Sequence, residues 1–459
     1  MKRRIAFCLL LLVCVLVYFK VLQADFLYYW DDQVIVMNQY TVGGWSWNNL
    51  WHICTDFHAG QYAPVMEMNF LTLYTFFGYN PFWFHLANLC WHLGGVCLTG
   101  LFIVELLKTH GSFSNKEIHL IAFLTAFIFS IHPFNVESVA WVSAVKILIY
   151  SFFYLLAAIC YLRYIKTMKE KDYLLTLFLF AVSFLAKEQA VTLPLLLILI
   201  DWFCHRNLKE KALWVEKLPF FILSLFFGII TILSQAGGGD APVFPFGQRI
   251  VLACYTLFEY LTKSLFPIGL NYLYPFPILP EESLPVRFWI YPLLVICIIS
   301  WLWVNRKNKL LLFGACFFVI HLLVALNIIS TSRQAIVADR YSYMSNIGII
   351  FLVVVMLVRL KSKWGNTYKW KGALVAFLMY SFYLGGYTYI YSTRWENTET
   401  VKLHINELLR EREKQKRKIR LSQNRLSRII NINILHYEKE KHYFFSWCGS
   451  SVNGAGFES

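Results

Sequence analysis

Two adjacent carboxylates, Asp31 and Asp32, stand in FLYYWDDQVIVMNQY at residues 26–40, among aromatics and about ten residues beyond an apolar run. Only 15% of the chain is charged, so paired acids here invite a chemical reading. Three other stretches place charge at similar positions: Lys187 and Glu188 in FLAKEQAVTLP, Asp339, Arg340 and Tyr341 in ADRYSYM, and His132 with Glu137 in IHPFNVESVAW. A carboxylate near cations stays ionised and can accept a proton from a hydroxyl nucleophile. A guanidinium offers a phosphate a planar, two-pronged fork, and an ammonium offers it a compact charge. Each piece alone has a plainer reading, as a solvated acidic loop or as charges at span ends, where they cost less than at mid-span.

The elements that must position these residues are set by composition. The chain has 459 residues, 58% hydrophobic and 18% aromatic, against roughly 25% charged residues in a typical soluble domain. The excess is gathered into runs of the length needed to cross a hydrocarbon core of about 30 Å. An all-α polytopic membrane protein follows. The first run, Ile5 to Leu22, comes after Lys2, Arg3 and Arg4 and lacks a convincing small-residue cleavage site, so it reads as an uncleaved signal anchor with its basic start in the cytoplasm. Further spans are expected at 83–107, 118–134, 139–161, 173–186, 189–204, 218–235, 288–305, 310–329, 344–360 and 372–392. The stretch 249–266 is better laid along the outer face, since a crossing there would put Arg306, Lys307 and Lys309 outside. The expectation is a bundle of about eleven transmembrane helices.

With that count the basic loops agree: Lys108 and Lys116, then 163–172, 205–211, 306–309 and 361–371 all fall in the cytoplasm. The net charge of +15 is absorbed by orientation and by the tail, and no nucleic-acid partner is needed to explain it. The opposite face receives the loop 23–82, the turns bearing His132, Glu137, Lys187, Glu188, Arg333, Asp339 and Arg340, and the Gly/Pro-rich stretches. Within that loop, PVMEMNFLTLYTFFG at 64–78 is an amphipathic helix too short to span, which covers the membrane surface or roofs a cavity. The cysteines lie mostly in apolar spans or the tail, with Cys54 in the outer loop, and show no CxxC spacing. Neither a disulfide framework nor a zinc site is expected. Paired acids can bind a divalent cation, yet no full ligand set is visible.

An outward-facing acid near outward-facing cations at the lipid boundary suits transfer from a lipid-linked sugar phosphate. The prenyl chain would lie on the spans, the phosphate on Arg or Lys, and the anomeric carbon towards the acid. Phosphate is already a good leaving group; cations would stabilise its developing charge while one carboxylate serves as base, inverting the anomeric centre. A transporter or flippase of such lipids should instead carry ionisable groups near the midplane and paired repeats, and a non-catalytic scaffold would leave the retained acids and lysine unexplained.

The order of DFLYYWDDQVIVMNQY, QYAPVMEMNFLTLYTFFGYNPFWFHLANLCWHL, IHPFNVESVAWVSAVK, SFLAKEQAVTLPLLLILIDW, YLYPFP and ADRYSYMSNIG resembles the transmembrane and tetratricopeptide-repeat O-mannosyltransferases, membrane glycosyltransferases of the GT-C class. The resemblance covers about residues 1–398. It implies a GT-C-like domain there, a polyprenyl-phosphate sugar as donor, mannose as the usual sugar, and a protein Ser or Thr hydroxyl as acceptor, with a glycan acceptor also open. It implies Asp31 as the base and Asp32 as its neighbour in acceptor binding. Donor phosphate and substrate would be met by Lys187, Glu188, Arg340 and Tyr341, together with His132 and Glu137.

Two departures stand out. Where such proteins tend to have Tyr-Arg-Pro this chain has Tyr62, Ala63 and Pro64, and where Gly-Arg-Lys-Asp is common it has Ala144, Val145, Lys146 and Ile147. The tail 399–459 is basic and shows no tetratricopeptide signature; a solvated helix or one resting on anionic headgroups is expected. The lack of any Asn-x-Ser/Thr acceptor points to a bacterial inner membrane with the site facing the periplasm, or to the endoplasmic reticulum membrane in a eukaryote.

Overall fold

A computed structural model describes residues 2–235, 244–278, 282–328, 335–411 and 414. Arg333 and nearly all of the tail lie outside the described residues. The chain is helical from one end of the described residues to the other. After α1 (Lys2–Val17), the first loop carries α2 (Asp31–Ile35), α3 (Gln39–Val42), α4 (Trp47–Thr55) and α5 (Pro64–Phe77). Then come α6 (Pro81–His110), α7 (Asn115–Ser130), α8 (Val136–Ala140), α9 (Val145–Thr167), α10 (Glu170–Ala186) and α11 (Leu193–Phe203). The series closes with α12 (Lys211–Gln235), α13 (Phe246–Leu265), α14 (Ile290–Val304), α15 (Lys309–Leu322), α16 (Ser342–Trp364) and α17 (Tyr368–Thr393). One antiparallel pair, β1 (Tyr274–Pro275) with β2 (Ala335–Val337), sits just before the Asp339–Arg340–Tyr341 turn. The chain divides into a compact unit 1–401 and a second unit beginning at Lys402, of which residues 402–411 are helical.

Local chemistry sets the helix ends. Asn80 accepts from the Phe82 amide, and Pro81 then opens α6. Gly111, with φ of +73°, ends it in the left-handed region. Ser114 and Glu117 satisfy each other's backbone amides in a capping box at the start of α7.

Each of the eleven segments expected to cross contains an α-helix, which makes the polytopic all-α reading plain. Among the described residues six helices are long and apolar enough to cross a membrane alone, or up to seven if the pair 115–130 and 133–140, bent by 56°, is one span. The difference comes from length. α10 has 17 residues, α11 has 11, and α1 and the segment Lys309–Ala325 are also short, against about 20 for a full crossing. The stretch 249–266 forms the amphipathic α13. α5 is not a free surface helix: it turns Met66, Glu67, Phe70 and Leu71 into the protein and leaves Phe76 out.

The centre of the unit is built on α6, α9 and α16, whose apolar windows are 56%, 78% and 72% buried, whereas that of α14 is 6% buried. Burial alone does not align them; buried polar groups do. The Asn88 amide donates to the carbonyls of Val139 (3.2 Å) and Trp141 (3.1 Å) where the chain leaves α8. The Tyr343 hydroxyl meets His92 Nδ1 at 2.8 Å while His92 Nε2 faces the Ser130 carbonyl at 3.3 Å. Since a carbonyl only accepts, the ring proton is on Nε2 and Tyr343 donates to Nδ1. α15 and α16 cross where glycines face each other: a Cβ on Gly348 would lie 2.6 Å from the Gly314 carbonyl oxygen.

That crossing gives a test. Gly348→Ala should force the two helices apart and lower the thermal midpoint in detergent by the equivalent of about 1–3 kcal/mol, whereas Gly386→Ala, with no atom within 4 Å of the added carbon, should change it little.

Candidate active site

A cavity of about 260 Å³ opens where the first loop meets the ends of several helices, and Asp31, Lys187, Glu188, Arg340 and Tyr341 all line it. These residues are up to 310 positions apart in the chain (31 to 341), and the fold places them around one space. Asp32, His132 and Glu137 do not line it.

Asp31 is the first residue of α2, and the following residue explains its placement. The Asp32 side chain is buried and accepts from the Leu27 amide (2.9 Å), the Ser143 amide (3.0 Å) and the Ser143 hydroxyl. It fastens the first loop to the 3-10 turn 142–144 that leads into α9. Successive residues on a helix point in different directions, so one acid is anchored and its neighbour faces the cavity. Burial pushes the Asp32 carboxyl up to about 6, with the Ser143 and Leu27 hydrogen bonds pulling the other way. The twin acids therefore do not face a common cation. Among the described residues no group of three His, Cys, Asp or Glu side chains is arranged to hold a metal.

The cationic wall has three members. Arg340 reaches the cavity from the turn before α16, and buried Glu137 holds it twice: one carboxylate oxygen accepts the Arg340 amide at 2.7 Å and the other pairs with the guanidinium. The guanidinium lies over the Trp141 ring at 5.2 Å and the Tyr341 ring at 5.0 Å. Lys187 pairs with Glu188 at 3.0 Å, its ammonium 5.9 Å from the centre of the Tyr341 ring. Lys146, in the first turn of α9, is the third; the Gln61 amide oxygen accepts from it, and it has no carboxylate within ion-pair distance among the described residues.

Gln61 comes from a tight turn, His58 to Gln61, whose end residues exchange backbone hydrogen bonds of 2.9 and 3.0 Å. Ala59 and Gly60 take φ values of +47° and +70°, the left-handed pair such a turn requires. The turn lines the cavity, as do Ser234 and Gln235 at the end of α12. His58 is itself held by Glu67 of α5 at 3.0 Å.

His132 is buried away from the cavity: its Nδ1 accepts the Phe134 amide at 3.2 Å, so the proton is on Nε2, which donates to the Ser264 carbonyl at 3.2 Å. It ties the break after α7 to the end of α13. Asp339 is likewise internal, accepting from the hydroxyls of Tyr274 (2.8 Å) and Tyr391 (3.1 Å). Sequence reasoning had not chosen Lys146, Gln61 or Trp141. Lys146 was legible as the lysine left in AVKI, and Trp141 as the aromatic closing VESVAW; the end of α12 carried no signal. Trp141 stacks on Trp395 with centroids 5.9 Å apart, and its indole N–H is buried with no hydrogen-bond partner among the described residues.

No protein-family model matches the chain. Protein O-mannosyl-transferase TMTC4 of Homo sapiens is 27% identical over 214 residues, 41% of this chain and 28% of that protein. Protein O-mannosyl-transferase TMTC2 of Homo sapiens is 28% identical over 232 residues, 47% of this chain and 26% of its own length. For tmtc2 of Xenopus laevis the figures are 30% over 277 residues, 54% of this chain and 31% of that protein. The chain is similar to protein O-mannosyl-transferases. It spans between a quarter and a third of the length of these relatives. The acidic pair, the Lys-Glu turn and the Asp-Arg-Tyr turn belong to three of the six stretches that carry the resemblance, and all three reach the cavity.

The Asp32 proton has a measurable consequence. The folded chain binds it at about 6, the unfolded chain only near 3.9, so its contribution is fully present below the lower value and lost as pH rises through the higher. The stability difference between the native chain and Asp32→Asn should move by about 1 kcal/mol between about pH 5 and pH 7, the native chain gaining on the acid side. Thermal midpoints of both proteins across that range check it; parallel curves would contradict the assignment.

Proposed function

We propose that the chain is a membrane glycosyltransferase that moves a sugar, mannose by its likeness to the named relatives, from a polyprenyl-phosphate donor to a protein Ser or Thr hydroxyl on the extracytoplasmic side. The observation that carries the reading is that Asp31 and Lys146, an acid and a cation with no ion pair among the described residues, line the same cavity as Arg340 and Lys187. In this reading the donor phosphate takes up Lys146, with the Arg340 fork beside it and Lys187 behind.

Asp31 accepts the proton of the acceptor hydroxyl as its oxygen forms a bond to the anomeric carbon. The bond from that carbon to the phosphate oxygen breaks, and its electron pair leaves on the phosphate, where the cations stabilise the charge. Attack opposite the leaving group inverts the centre. Glu137 acts through Arg340 by fixing its fork, and Asp32 acts through the backbone by fixing α2. With no arginine at 63 or 145, Lys146, which stands where the Gly-Arg-Lys-Asp pattern has its lysine, is the third cation beside Arg340 and Lys187. No step requires a divalent cation, and chelation tests whether one takes part.

Purified full chain is incubated with polyprenyl-phosphate mannose and Ser/Thr-containing peptides. Asp31→Asn should lower kcat by about 10²–10⁴-fold, and Lys146→Gln should raise the donor KM by about tenfold or more while Asp32 and the fold stay intact. No transfer by the native chain from several polyprenyl-phosphate sugars would end the proposal, and equal rates in Asp31→Asn would remove that residue from the base role.

A further inference from the structure

A second cavity, of about 660 Å³, opens between α1, α6 and α7, and the proposed reaction makes no use of it. Small residues form its floor, among them Ala6, Cys97, Gly100, Ala122 and Ala126. Its position is opposite to the candidate active site. Asn88 of α6 holds the Trp141 carbonyl beside that site; Gly100 comes twelve residues later, about 18 Å further along the helix axis at 1.5 Å per residue.

One end of the groove is charged. Lys116 and His119, in the first turns of α7, line it. Lys116 is exposed and has no hydrogen bond or ion pair among the described residues. His119 donates its Nδ1 proton to the Asn115 carbonyl at 2.7 Å, and as an imidazolium it donates from its Nε2 edge to an anion. The nearby acids are already engaged: Glu117 folds back onto the Ser114 amide (2.9 Å) and hydroxyl (2.8 Å), and Glu105 pairs with Lys108 (3.0 Å) and Lys166 (2.8 Å). Arg4, two residues before Ala6, adds an exposed cation at the start of α1.

The occupant is constrained by shape and charge. From Lys116 to Ala126 the groove runs along about 15 Å of α7, half of a hydrocarbon core about 30 Å thick. The groove is lined mainly by apolar side chains and is cationic at one end, which matches an acyl chain that carries an anionic headgroup. An ion without an apolar tail would leave the small-residue floor unused. We infer that the groove holds one anionic phospholipid of the leaflet opposite the candidate active cavity, its acyl chain on Gly100 and Ala126 and its phosphate on Lys116 and His119. The lipid fastens α1 to α6 and α7, and α1 leads into the loop that carries Asp31.

The test uses purified full chain in neutral detergent. Native mass spectrometry compares phosphatidylglycerol with phosphatidylcholine of the same acyl chains, and thermal unfolding compares phosphatidylglycerol with inorganic phosphate. One copy of phosphatidylglycerol should be retained at least fivefold more tightly than phosphatidylcholine. Lys116→Gln should abolish the preference, Val104→Trp should reduce retention of both lipids, and Lys371→Gln, another exposed lysine, should alter neither. Lys116 is exposed, so its variant should keep the lipid-free midpoint of the native chain. Equal retention of the two lipids, an unchanged preference in Lys116→Gln, or stabilisation by inorganic phosphate equal to that by phosphatidylglycerol would each overturn the inference. Sugar transfer is not measured, so the result stands apart from the proposed activity.

Discussion

Asp32 accepts three hydrogen bonds, two from Ser143 and one from Leu27, and through them the first loop is bonded to the chain that enters α9. Such a staple is needed because the chain at 131–144 leaves regular helix at the edge of an apolar bundle. In a bilayer, irregular backbone persists only where protein or water satisfies its polar groups. Here protein does so. Asn88 takes the Val139 and Trp141 carbonyls, the Asn135 amide takes that of Phe129 (2.6 Å), and the Thr388 hydroxyl takes that of Ile131 (2.7 Å). The cavity exists because this break is stabilised from α6, α17 and the first loop.

The charges around the cavity fall into two layers. Glu137 and Asp339 are spent on holding other groups, the first on the Arg340 fork and the second on two tyrosine hydroxyls. Asp31, Glu188, Lys146 and Lys187 reach the space itself. A buried carboxylate with fixed donors costs least when it does not move, and the inner layer gives the outer one a rigid mounting. The same separation explains why charged residues at span ends, individually unremarkable, can act together.

Much of the fold was legible because hydropathy reads apolar runs well: every expected span contains an α-helix. What hydropathy does not read is where a run breaks. Lys187 to Thr192 is an extended residue followed by a 3-10 turn, and it divides α10 from α11, leaving both shorter than a bilayer. The convergence of Asp31, Lys187, Glu188, Arg340 and Tyr341 was legible because topology put all five on one side. The different fates of Asp31 and Asp32 were not, since adjacent identical residues look alike until a helix start turns them apart. His132 and Glu137 likewise differ from the lining residues only through partners remote in sequence, Ser264 and Arg340. Lys146 was obscured because the comparison drew attention to what its neighbours lacked.

The turn at Gln61 sets a condition on anything that enters the cavity. Its amide oxygen already solvates the Lys146 ammonium, so the charge is never bare. The ammonium has three N–H donors and the glutamine accepts one of them, so an incoming anion meets a charge that is already partly solvated. Its gain on binding is the difference between two hydrogen-bonded states of one ammonium, and the hairpin fixes the side from which the remaining donors are reached.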